Sequence, residues 1–104
     1  MGKKSRDKGY RVENELVNKL KENGFDAHRV PLSGGVAGYP GDIRINDKYL
    51  MEVKARKSGF KTIRDWMGDN DFIALKDDRK EPLVAMNWGK FVQLLLKAEE
   101  NERK

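Results

Sequence analysis

The sequence predicts a single α/β domain, a mixed β-sheet flanked by helices in the order α-β-β-β-α-β-β-α. Three observations predict it. An amphipathic segment ends at Gly24, a good left-handed helix stop. Two period-two runs flank Asn46-Asp47, a hairpin signal. An apolar run from Trp88 closes the chain at helical spacing. The chain has 104 residues, enough for one modest core, and shows no internal repeat or linker.

Taken in order, Met1 to Gly9 is Lys/Arg-rich, lacks periodicity and reads as a loose basic tail. A helix follows over Tyr10 to Asn23, with Val12, Leu16, Val17 and Leu20 as its apolar arc. Phe25 to Val30 reads as the first strand. Pro31 to Gly41 is a loop, broken by Ser33-Gly34-Gly35, Gly38 and Pro40-Gly41. Asp42 to Ile45 and Tyr49 to Ala55 read as two strands around the turn. Lys61 to Met67 reads as a second helix. Asp71 to Leu75 and Leu83 to Met86 read as short strands joined by the polar turn Lys76 to Pro82. Trp88 to Glu99 is the closing helix. Its Phe91, Val92, Leu94, Leu95 and Leu96 cover more than one face.

Lys and Arg number 22 against 17 acids, for a net charge of +5. A basic balance favours polyanions, because phosphate contacts release counterions; a highly charged solvated surface accounts for it equally well. Cysteine is absent and His28 is the single histidine. Thiolate and multi-histidine metal sites are therefore excluded, and any bound metal must be a hard cation on carboxylates, such as Mg²⁺ or Mn²⁺. With no cysteine, no apolar run of membrane-spanning length and no signal peptide, a cytoplasmic location is expected.

Glu13 is the first residue to weigh. A helix advances about 100° per residue. With Val12 at zero, Leu16, Leu20 and Val17 fall at roughly 40°, 80° and 140°, and Glu13 at roughly 100°, inside the apolar arc. A carboxylate there needs a partner such as a cation or a metal. The bland account is an acid near a helix N-terminus, where the macrodipole and solvent accommodate it.

Glu52-Val53-Lys54 is the second feature. Strand alternation points Glu52 and Lys54 one way, and Met51, Val53 and Ala55 the other. A solvated strand face explains this pair alone. Asp42 adds a second carboxylate from the neighbouring strand, making an oxygen-rich site for a hard cation. Lys54 beside it can orient a water and balance developing negative charge. The site assembles only on a geometric condition. A loop of Asn46, Asp47 and Lys48 sets Asp42 against Glu52, whereas a two-residue turn sets it against Met51 and turns the acids apart unless a bulge corrects the register.

Lys54, Arg56, Lys57, Lys61 and Arg64 form an acid-free basic stretch after the trio. With Lys3, Lys4, Arg6, Lys8 and Arg11 they can track phosphates on either side of it. No aromatic interleaving suggests base stacking, so the expected readout is of backbone and shape.

Pro-Gly-Asp42 followed by Glu52-Val53-Lys54 resembles the PD-(D/E)xK nuclease signature, with a glycine inserted between Pro and Asp. Gly9-Tyr10-Arg11-Val12-Glu13-Asn14-Glu15-Leu16, Gly24-Phe25, Arg29 and the Ser33-Gly34-Gly35 loop resemble the opening of archaeal-type Holliday-junction resolvases, which have phage homologues. The likeness covers about residues 6 to 57. It implies a restriction-endonuclease-like core, a homodimer, and paired nicks across a four-way junction. By matching position it implies that Glu13 is the helix acid, Asp42 and Glu52 the metal ligands and Lys54 the catalytic lysine. Ser33 falls near the scissile phosphate, and Arg29 and the basic tail contact DNA.

The expected function is thus a Mg²⁺-dependent endonuclease of branched DNA, with Mn²⁺ also accepted and no small-molecule cofactor. Asp42, Glu52 and the Val53 carbonyl hold the metal, with Glu13 as a further ligand that tunes the second side of the site, and Lys54 orients the water. The closing helix, through Trp88, Phe91, Leu94 and Leu95, is the expected part of the dimer interface, because its apolar surface exceeds what one core needs. The rivals are a nickase or duplex endonuclease of the same superfamily, a non-catalytic nucleic-acid-binding module, and an adaptor resting on the apolar closing helix alone.

Overall fold

The computed structural model describes residues 2–30 and 42–103, with side chains from residue 9 of the first helix. The element order is α1 (Gly2–Glu22), β1 (Ala27–Arg29), β2 (Ile43–Ile45), β3 (Tyr49–Met51), α2 (Lys61–Met67), β4 (Ile73–Leu75), β5 (Leu83–Ala85) and α3 (Trp88–Arg103). The α/β class and the order are those the sequence predicts. The chain packs as two compact units, Met1–Arg56 and Lys57–Lys104.

In the first unit, β1, β2 and β3 form a three-stranded antiparallel sheet with β2 in the centre. Ala27 pairs with Ile45 and Arg29 with Ile43; across the next ladder Ile43 pairs with Met51 and Ile45 with Tyr49. Paired residues share a face, so one face carries Ala27, Ile43 and Ile45, all buried. Helix α1 supplies Val17 and Leu20, with Phe25 just beyond it, to the same core. The predicted apolar arc is the face the helix buries. Leu20 is fully buried, so Leu20→Ala should cost about 2–5 kcal/mol by removing apolar contact and leaving a void. A urea titration checks this.

In the second unit, β4 and β5 make a two-stranded antiparallel ladder, Ile73 opposite Ala85 and Leu75 opposite Leu83. Met67 and Val92 are its buried side chains among the described residues. Trp88 packs on Phe91 at 5.6 Å between ring centroids. Lys90 and Asp71 pair at 3.6 Å.

Three details differ from the sequence reading. Helix α1 starts at Gly2, so the segment read as a loose tail continues the helix. Its Lys and Arg residues are good helix formers, and Gly9 weakens a helix without ending it. The strands are short, because a ladder needs a partner: β3 ends at Met51, where β2 begins to run out, not at Ala55. All ladders among the described residues are antiparallel, so the mixed sheet is replaced by two antiparallel ones. The connections between β2 and β3 and between β4 and β5 are too short for the crossover that a parallel pair needs. No helix among the described residues is long and apolar enough to cross a membrane.

Candidate active site

The register of the β2–β3 hairpin decides whether a site exists. Ile45 pairs with Tyr49, leaving Asn46, Asp47 and Lys48 as a three-residue loop. Asn46 and Asp47 sit at positive φ, 52° and 55°, a region Asn and Asp tolerate better than most residues. The loop is pinned on both sides. The Asn46 N–H donates to the Asp26 carbonyl (2.6 Å), and the Asn46 Oδ1 accepts from the Asp26 N–H (2.9 Å). Arg44 Nη2 donates to the Asp47 carbonyl at 3.1 Å. Asp42 and Glu52 lie directly beyond the last ladder pair, Ile43 and Met51, on their two strands, and their carboxyls come within hydrogen-bond reach of each other. The condition attached to the sequence reading is met.

Asp42 is fixed to both neighbours of the central strand. Its N–H donates to the Met51 carbonyl (2.8 Å), and its carbonyl accepts from the Val30 N–H (2.9 Å). Its Oδ2 accepts from the Val53 N–H at 2.7 Å. The backbone of the acid-bearing segment thus orients the first carboxylate. Glu52 stands beside it. A hydrogen bond with Asp42, then repulsion from its charge, then slight desolvation push the Glu52 carboxyl above the usual range, and Lys54 pulls it partly back. Lys54 Nζ lies 3.6 Å from Glu52 Oε2, with both side chains more than half exposed. Alternation persists beyond the ladder: Glu52 and Lys54 are exposed, while Met51, Val53 and Ala55 are half-buried.

Two carboxyls pressed together, one with a raised pKa, form the environment a hard cation relieves. Among the described residues no group of three or more acids or histidines could hold a metal jointly. Glu13 is therefore not gathered with Asp42 and Glu52. Its half-buried carboxylate has the cation that the sequence reading allowed as its partner: Glu13 Oε1 accepts from Arg29 Nε at 3.0 Å. The Arg29 guanidinium stacks on Tyr10, 4.1 Å from the ring centroid. Glu13 also borders a recess of about 300 Å³ with Gly9, Val53, Lys54, Ala55 and Arg56. Glu13 and Lys54 thus share one recess, while Asp42 and Glu52 form the acidic pair beside Lys54.

Ser33 lies outside the described residues, as do the side chains of Lys3, Lys4, Arg6 and Lys8. Arg11, Arg56, Lys57, Lys61 and Arg64 are exposed. Lys61 is paired with Asp65 at 2.6 Å. The sequence reading missed Tyr10. Its spacing of three from Glu13 puts the two on one helix face, which was the available signal.

The archaeal Holliday junction resolvase family model matches residues 4–64, more than half of the chain. The chain belongs to that family. Membership carries the nuclease fold class and supports a junction-resolving nuclease active on DNA, with a place in recombination and repair. The match spans Glu13, Arg29, Asp42, Glu52 and Lys54. Neither the curated proteins nor the solved structures contain a match to the chain.

Proposed function

We propose that this member of the resolvase family is a metal-dependent endonuclease that makes paired nicks in four-way DNA junctions as a homodimer in the cytoplasm. The observation that carries the reading is the side-chain contact of Asp42 with Glu52 at the end of the β2–β3 hairpin, with Lys54 at 3.6 Å from Glu52. Asp42 and Glu52, with the Val53 carbonyl, would hold Mg²⁺ or Mn²⁺, which when bound supplies Lewis-acid polarisation and an activated water.

The chain's own groups have distinct parts. The Val53 N–H fixes the Asp42 carboxylate in place. Lys54, held near the site by Glu52, orients the attacking water and balances charge that develops on the phosphate. Arg56 and Lys57, exposed directly after it, contact the DNA backbone. Lys61 and Arg64, and separately Arg11 and the basic residues before it, are further phosphate contacts.

Protons compete with the cation for the acidic pair. Because Asp42 raises the Glu52 pKa, Mg²⁺ affinity should weaken as pH falls, beginning at a higher pH than an isolated carboxylate would give. Calorimetric titration of Mg²⁺ at several pH values measures this; an affinity constant across the acid range would remove the pair as ligands.

The deciding experiment compares a four-way junction with a linear duplex of the same arm sequence in Mg²⁺. Preferential, paired cutting of the junction is expected. Equal rates on both would leave a nuclease without junction selectivity. No cutting of either would favour a non-catalytic binding module. Gel filtration at micromolar concentration tests the dimer.

A further inference from the structure

Arg29 has two partners that take it out of the ordinary run of exposed basic residues. Its Nε donates to Glu13 at 3.0 Å, and its guanidinium face lies 4.1 Å from the Tyr10 ring centroid. The pair is partly sheltered, with side-chain exposure of 30% for Arg29 and 15% for Glu13. Sheltered ion pairs are screened less than surface ones. Arg29 pairs with Ile43 in the β1–β2 ladder, so it is held on the core side of the sheet, towards α1. Glu13's other oxygen, Oε2, lies 4.0 Å from where a side chain on Gly9 would begin. Gly9 and Glu13 line the same recess as Lys54.

From this geometry we infer that Tyr10 and Arg29 are positioning residues for the cleavage reaction, a cation clamped on an aromatic ring that fixes the Glu13 carboxylate at the wall of the Lys54 recess. The inference rests on the nuclease reading above. It gives Arg29 a task other than gripping a phosphate. One guanidinium face and its Nε are committed within the fold, and those contacts set where Glu13 points. Tyr10 contributes through its ring and not through its hydroxyl, since the contact is with the ring face.

Single-turnover cleavage of a four-way junction at saturating enzyme separates positioning from binding. Junction affinity is measured in parallel without divalent cation, at several salt concentrations. Arg29→Gln should lower the saturated rate roughly 10- to 100-fold, the scale of a misplaced catalytic group. Tyr10→Leu should lower it about three- to tenfold, the scale of a lost cation–π contact. Tyr10→Phe keeps the ring and should restore the parent's rate, and Arg29→Lys should fall between Arg29→Gln and the parent. Junction affinity and its salt dependence should stay close to the parent's in all four.

An unchanged saturated rate in Arg29→Gln overturns the inference. So does a loss of affinity with a salt slope reduced by about one, which marks a phosphate contact. Tyr10 is 41% exposed, so its variants keep the test open should Arg29→Gln fold poorly. A parent that cuts nothing overturns the nuclease reading itself, visibly and before any variant is made. The contact is then read by the NMR signal of the Arg29 Nε–H, expected to move in both Tyr10→Leu and Glu13→Gln. A signal that ignores both substitutions rules the clamp out.

Discussion

Asp42→Asn should reduce junction cleavage by at least about 100-fold while leaving the fold intact. Loss of an outer partner of a metal ligand already costs roughly 10- to 100-fold, so loss of a direct ligand should reach or exceed the upper end. The substitution is close to isosteric. The Asn side-chain oxygen can still accept the Val53 N–H that Asp42 Oδ2 accepts at 2.7 Å, and both backbone bonds of residue 42 are untouched. What disappears is one negative charge next to Glu52. The sign of the stability effect follows from that charge. In the metal-free parent Asp42 raises the Glu52 pKa, so the folded state holds its proton to higher pH than the unfolded chain does. Stability therefore falls as pH rises through that window. In Asp42→Asn the Glu52 pKa returns towards the usual carboxylate range and the fall flattens. Thermal melts in EDTA across the acid range measure this. A variant that loses activity and also melts much lower at neutral pH would make Asp42 a structural residue.

Lys54→Met should lower the cleavage rate roughly 10²- to 10³-fold, the scale set by removing one group that meets developing charge. It should do so with little effect on stability. Lys54 and Glu52 are both more than half exposed and 3.6 Å apart, and exposed pairs of this kind contribute about 0–1 kcal/mol. Lys54 also opposes the raised Glu52 pKa, so its loss should push that carboxyl higher still and weaken cation binding at mildly acid pH. The kinetic signature is a lower rate at saturating Mg²⁺ and a higher Mg²⁺ requirement together. A rate restored fully by excess Mg²⁺ would assign Lys54 to cation binding alone.

The two acids and Lys54 differ in how openly the sequence declares them. Glu52 and Lys54 are set by the period of an extended chain, and their shared exposure persists past the end of the ladder. Asp42 depends on a register, which one residue more or less in the turn would reverse. The sequence could pose that alternative, but the Asn46–Asp26 hydrogen bonds that pin the loop join residues twenty apart. Glu13 was marked by its place in an apolar arc, and its need for a cation follows from desolvation. Which cation answers that need was not legible. Arg29 looked like one basic residue among many, and Tyr10 like an ordinary helix aromatic.

The sequence by itself determined the helical face that becomes the core, the position of the hairpin and the family. These rest on local periodicity and on short motifs, all of which act over a few residues. Tertiary structure alone decided three things. It fixed the three-residue loop and the contact of Asp42 with Glu52. It ended the strands where their partners end and made all three ladders of the described residues antiparallel. It handed Glu13 to Arg29 and left the acidic pair to Asp42 and Glu52. Each is a choice between partners distant in sequence, made by the summed packing and hydrogen bonding of a whole sheet, and no local pattern encodes that sum.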